Sequence, residues 1–303
     1  MRAVFLCLVV LCCIGCGVPT RTVPGQNPLV YDPQEVASAE KIAIFIPGAL
    51  SSIDIFAASI GWEDAGYART FYRYPGLDDL PNDHIVAPSR VAAHLVDFAA
   101  AYPDKDVALV GYSTGGPIAL LAASQIKGPR QVSVAAMSTA VEYGGGLATV
   151  ARGVQDIARA AWAVGSLQRQ VVWKRFWAGL LYGPDAFDDP AYDARLERDI
   201  AAGEDVIVNL DLPIALAHTL GLPGFELPDD LDLTGVNVAF FVGLNDRVFS
   251  TAQTRNFSRK IGGVTIYGYR EQGHLLFFTR PDVFDDMLAF VENGAVGANF
   301  REN

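Results

Sequence analysis

Short runs that are apolar on both faces recur between stretches with helical spacing, and this alternation limits the folds open to the chain. Ile42-Ala43-Ile44-Phe45-Ile46 is closed by Pro47-Gly48, and Val107-Ala108-Leu109-Val110 by Gly111. Val132–Met137, Val236–Val242 and Val264–Tyr269 have the same character, and Arg69–Tyr74 alternates before Pro75-Gly76. Between them, Val91, Leu95 and Phe98 within 88–102 fall at steps of four and three, and 117–123, 251–261 and 281–291 are also read as helices. A strand apolar on both faces has to be covered on both. The pattern therefore predicts an α/β fold with a mostly parallel sheet between two layers of helix. The chain has 303 residues, 51% of them hydrophobic, which suffices for one large domain with a sizeable core. No internal repeat or low-complexity tract interrupts it.

Residues 1–16 stand apart. Arg2 precedes an apolar run from Ala3 to Ile14, the layout of a secretory signal. A helix of about 12 residues rises about 18 Å, too little to span a hydrocarbon core of about 30 Å. The run ends Cys13-Ile14-Gly15-Cys16, which resembles a bacterial lipobox with a small residue before the cysteine to be lipidated, although Cys13 stands where that family usually has Leu. The expectation is a signal peptide over 1–15 and a lipid anchor on Cys16. A tether with an extended lead-in would follow over 16–39, and a folded domain over 40–303. The protein would be exported and held on a bacterial membrane, on its periplasmic or outer face. All four cysteines (Cys7, Cys12, Cys13, Cys16) lie in this segment, so no disulfide framework is expected. The net charge of -11 argues against nucleic acid as a partner, since binding it needs a basic surface to displace counterions.

The reactive residues concentrate at Gly111-Tyr112-Ser113-Thr114-Gly115, a G-x-S-x-G directly after one predicted strand and directly before a helix. A turn that sharp leaves no room for side chains on either side of the serine, which explains Gly111 and Gly115. It projects Ser113 from the carboxyl end of the sheet and turns the Thr114 N–H towards the reacting oxygen. An acid and a histidine follow in the chain order this arrangement requires. Asp246 lies just past strand Val236–Val242. His274 follows Gly273, just past strand Val264–Tyr269. The plainer reading of Asp246 is a cap for the helix near Thr251. His84, His94 and His218 have no motif around them and are read as solvated or packed.

These pieces together resemble the α/β-hydrolase superfamily from about Lys41 to the C-terminus. Pro47-Gly48-Ala49, Gly111–Gly115, Gly243–Asp246 and Gly273-His274 carry the resemblance. Members usually have His-Gly after the third strand, where this chain has Pro47-Gly48, and the HGGG signature of one esterase group is absent. The resemblance implies a serine hydrolase that works through an acyl-enzyme, with catalytic Ser113, Asp246 and His274. The oxyanion would be held by the backbone N–H groups of Thr114 and Ala49, with Leu50 as the alternative to Ala49. It implies a helical lid over 138–235. There, Leu147, Val150, Val154, Ile157 and Ala161 share one helical face, and Val172, Trp173, Phe176, Trp177, Leu180 and Leu181 form a broader apolar stripe. The stripe either packs the lid onto the domain or lines an acyl pocket. No cofactor or metal is expected: the sequence has no G-x-G-x-x-G, P-loop or HExxH, and its four histidines are scattered. The expected activity is hydrolysis of carboxylic esters with an apolar acyl group. The alternatives are a thioesterase or serine peptidase of the same fold, or a tethered binding protein that has lost turnover.

Overall fold

The computed structural model describes residues 19, 21–140, 146–165, 168–187, 189–202 and 212–296. Cys16 lies outside them. Seven strands among the described residues form one sheet: β1 (Leu29–Val30), β2 (Lys41–Ile46), β3 (Tyr67–Tyr72), β4 (Asp106–Tyr112), β5 (Val132–Met137), β6 (Val236–Gly243) and β7 (Thr265–Tyr269). Their spatial order is β1-β3-β2-β4-β5-β6-β7. Every neighbouring pair is parallel except β1 with β3. Strand β4 sits near the middle, with Val110 opposite Phe45 on one side and Ala135 on the other.

The strands read as apolar on both faces are covered on both. Ile42, Ile44 and Ile46 of β2 join a core with Leu95, Ile118 and Phe257. These come from the helices α2 (Pro88–Ala100), α3 (Gly115–Gln125) and α8 (Thr251–Lys260). The intervening Ala43 and Phe45 join the opposite core with Trp62, Leu181, Met287 and Phe290, the last two from α9 (Val283–Asn293). Each isoleucine buried this completely contributes about 1.5–3 kcal/mol. One strand thus anchors two helix layers, and the carboxyl ends of β4, β6 and β7 all open on the same edge of the sheet.

Two regions differ from the sequence expectation. Within the lead-in, Leu29 and Val30 pair with Tyr72 and Phe71, and Pro33–Ser38 forms helix α1. The Asp32 side chain caps that helix by accepting from the Gln34 N–H at 2.7 Å. The second region is the insertion after β5, built from α4 (Gly146–Val164), α5 (Arg169–Tyr182), α6 (Asp193–Ala202) and α7 (Leu212–Thr219). On α4 the inward residues are Asp156 and Ala160, whereas Ile157 is exposed. The apolar face predicted for this helix is therefore turned aside at Ile157. At the inward position Arg247, next to Asp246, grips both oxygens of Asp156 at 2.6–2.9 Å. The side chains of Leu147, Val150, Val154 and Trp173 lie outside the described residues. Of the stripe on α5, Val172 and Leu181 are buried, and Phe176, Trp177 and Leu180 are half-buried against the two clusters they adjoin.

Candidate active site

Ser113 sits at the turn from β4 into α3 with φ of 51°, a left-handed conformation that costs a residue with a side chain about 1–2 kcal/mol. The surrounding backbone holds it there. The Ser113 N–H donates to Met137 O at 2.8 Å, and Ser113 O accepts from the Thr139 hydroxyl at 2.9 Å. The flanking glycines are required by space. A Cβ on Gly115 would lie 2.2 Å from Ile46 O, and one on Gly111 would lie 2.5 Å from Gly115 O. Strand β2 and helix α3 approach this closely only because Gly115 lacks a side chain, and β4 turns into α3 this tightly only because Gly111 does.

The two other predicted residues meet the serine. His274 Nε2 lies 3.1 Å from Ser113 Oγ, and His274 Nδ1 lies 2.8 Å from Asp246 Oδ2. The three residues form one hydrogen-bonded chain although Ser113 and His274 are 161 positions apart. All three are buried. The second Asp246 oxygen accepts from the N–H groups of Val248 at 2.7 Å and Phe249 at 3.0 Å. Those bonds fix the carboxylate with one oxygen facing the imidazole. Helix α8 is capped by Ser250 through a capping box with Gln253, so Asp246 is not its cap. The imidazole lies between Tyr112, with ring centroids 5.3 Å apart, and Phe249, at 5.7 Å. Burial, followed by the Asp246 charge, pushes the Tyr112 phenol well above its ordinary range, so this neighbour stays neutral. A hydroxyl, an imidazole and a carboxylate joined in this order can move a proton off the serine and hold the resulting positive charge.

The loop after β2 runs directly over Ser113: a Cβ on Gly48 would lie 2.8 Å from Ser113 Cβ. The two N–H groups of this loop that sequence left as alternatives have different partners. Ala49 N–H donates to the Thr114 hydroxyl at 2.9 Å, and Leu50 N–H donates to His218 Nδ1 at 2.9 Å. His218 is packed, one of its two expected fates, but its bond to this loop was missed. Nothing in the sequence around it signals a partner 168 positions away.

The insertion also grips the other two loops. Gly273 N–H donates to Leu181 O and His274 N–H to Leu180 O, each at 2.7 Å. The Asn245 side chain donates to Tyr182 O at 3.3 Å, and Arg247 binds Asp156 of α4. The last turn of α5 thus uses the carbonyls that a helix end leaves without partners to hold the loops carrying His274 and Asp246.

The profile of the alpha/beta hydrolase family matches residues 43–287. Several solved structures share the fold. A thermophilic esterase from Thermogutta terrifontis is 12% identical, with a TM-score of 0.64 over 91% of this chain and 99% of the other. A carboxylesterase structure from Nitrososphaera gargenis is 16% identical, with a TM-score of 0.62 over 88% and 100%. The enol-lactonase from Burkholderia xenovorans is 15% identical, with a TM-score of 0.61 over 87% and 94%. At these identities the likeness is one of fold. Among curated proteins no sequence matches.

Proposed function

The chain belongs to the alpha/beta hydrolase family, and on that premise we propose that it is a serine hydrolase acting on carboxylic esters with an apolar acyl group. The observation that carries this reading is the unbroken chain from Ser113 Oγ through His274 to Asp246, with links of 3.1 and 2.8 Å. In this reading His274 takes the Ser113 proton as the oxygen attacks the ester carbonyl. Asp246 holds the imidazole with its Nδ1 proton towards the carboxylate and stabilises the imidazolium. The Thr114 and Ala49 N–H groups receive the oxyanion, and removing one such donor in a comparable site costs about 3–4 kcal/mol. Ala49 N–H is released for this when the Thr114 hydroxyl rotates away. His274 then protonates the leaving alcohol and later activates water to free the acyl group.

An ester, a thioester and an amide can all be attacked by this constellation, so substrate class is decided by assay. A fluorophosphonate probe should label the parent protein at Ser113, and p-nitrophenyl esters should turn over faster than matched thioesters and anilides. Labelling without turnover of any of the three would favour a binding protein. Faster thioester or amide cleavage would move the assignment within the fold.

We also propose that the protein is a lipoprotein anchored through Cys16, on the strength of Gly15-Cys16 after the apolar run. Cys16→Ser should shift it from the membrane fraction to the soluble one, because buried acyl chains contribute about 0.8 kcal/mol per CH₂. Equal membrane retention of parent and variant would refute the anchor.

A further inference from the structure

His218 is 1% exposed and reaches from α7, the last helix of the insertion, to the loop over Ser113. Its two ring nitrogens have fixed and different tasks. Nδ1 accepts from Leu50 N–H at 2.9 Å. Nε2 lies 2.8 Å from Pro75 O, an atom that can only accept, so Nε2 carries the proton. The ring is therefore the neutral Nε2–H tautomer, set edge-on to Tyr74 with centroids 5.4 Å apart. Burial is the main cause that lowers its pKa to about 4, with the Pro75 bond opposing and His84 adding a smaller push in the same direction. Leu50 itself has φ of 66°, a conformation that a side-chain-bearing residue keeps only when its surroundings enforce it. A second clamp follows in sequence: Ile53 N–H donates to Asp78 Oδ2 at 3.1 Å, and Ser52 bonds the same carboxylate.

Resting on the serine-hydrolase reading above, we propose that His218 is a positioning residue for the oxyanion loop. By binding Leu50 N–H it takes that donor out of the site. It also holds Leu50 in its left-handed conformation, which leaves Ala49 N–H as the donor this loop gives to the oxyanion. The choice between Ala49 and Leu50 is thus made by a histidine of the insertion. The loop backbone is held in place before substrate arrives, so only the Thr114 hydroxyl, which Ala49 N–H bonds at 2.9 Å, has to turn as negative charge develops.

Two substitutions separate the tasks of the ring. In His218→Asn the amide oxygen stands the same number of bonds from Cα as Nδ1, so the Leu50 acceptor is kept and the Pro75 donor is lost. In His218→Gln the amide nitrogen stands where Nε2 stood, so the Pro75 donor is kept and the Leu50 acceptor is lost. Each purified variant is assayed for kcat and KM on the ester the parent cleaves fastest, and for its rate of fluorophosphonate capture. His218→Gln should lose roughly 100-fold in kcat and in capture rate, the scale of one misplaced oxyanion donor, with KM within about threefold of the parent. His218→Asn should retain at least about tenfold more of both than His218→Gln. If Gln matches or exceeds Asn, or if both lose activity only in proportion to a fall in melting temperature, His218 merely packs and the proposal is wrong. A parent that captures no fluorophosphonate and cleaves no ester would instead overturn the serine-hydrolase reading, and this inference with it.

Discussion

The sheet edge and the insertion divide the site between them. On the serine-hydrolase reading proposed above, the sheet edge places the reactive groups. Ser113 follows β4, Asp246 follows β6 and His274 follows β7, and their side chains are joined to one another. The insertion places bonds on the backbone that carries those groups. Leu180 and Leu181 of α5 accept from the His274 loop, Asp156 of α4 binds Arg247 beside Asp246, and His218 of α7 binds the loop over Ser113. A region usually described as a cover here serves as a frame as well. The contrast teaches that groups which react and groups which orient follow different rules of placement. The former must converge within hydrogen-bond distance of one atom, so the parallel sheet fixes them. The latter need only reach a loop, and they enter from wherever a helix happens to pack.

The largest effect that could break this comparison concerns the sheet edge alone. Ser113→Ala and His274→Ala should each lower turnover by several orders of magnitude without unfolding the protein. The double variant should fall little further, because a general base has no proton to take once the hydroxyl is gone. Asp246→Asn should cost a similar amount or less, since it spoils the tautomer without removing the base. Circular dichroism checks the fold, and single-turnover kinetics measure the loss. If the Ser113 and His274 effects instead multiplied, the two residues would be acting separately, and the hydrogen-bonded chain would not be the reacting unit.

An intermediate effect belongs to the junction of the two regions. Asp156→Ala removes the carboxylate that Arg247 grips, and burial leaves the two side chains 12% and 26% exposed. A fully buried pair costs more to break than this, and a surface pair less. The expected destabilisation is about 1–3 kcal/mol in denaturant unfolding. Turnover should fall less than tenfold, because Asp246 keeps its own bonds to Val248 and Phe249. A loss of turnover on the scale of Ser113→Ala, with stability unchanged, would place Asp156 among the reacting groups and erase the division drawn here.

The two regions were also unequally legible in the sequence. The ten central elements could be read because short apolar runs closed by turn residues alternate with segments of helical spacing. Ser113, Asp246 and His274 could be read because the order of strand ends restricts where reactive groups can sit. Asp156 and His218 could not. Asp156 lies off the apolar face read for its helix, and its partner Arg247 is 91 positions away in sequence. His218 has no local pattern, since its partners Leu50 and Pro75 belong to distant loops. The helix Pro33–Ser38 was missed for a further reason. It is only six residues long, and its cap at Asp32 lies within a proline-rich stretch that favours extended backbone. Local signals report local structure, and orienting contacts in this protein are mostly long-range.

The smallest predicted effect decides how far the insertion takes part in substrate choice. Trp177 of α5 is half-buried against the core that contains Leu181 and Tyr112, and its indole nitrogen is buried without a hydrogen-bond partner among the described residues. An indole N–H kept from water without an acceptor costs stability. The stripe that Trp177 belongs to either packs only, or also lines the pocket for the apolar acyl group proposed above, and the second case is the one to test. Trp177→Ala should then shift the preference among p-nitrophenyl esters towards shorter or broader acyl chains, at about 1–3 kcal/mol per methylene of lost discrimination. The relevant quantity is the ratio of kcat/KM between butyrate and octanoate esters, which cancels any change in the fraction of folded enzyme. If that ratio stays at the parental value while the melting temperature falls, Trp177 belongs to the frame alone, and the insertion orients the site without selecting what enters it.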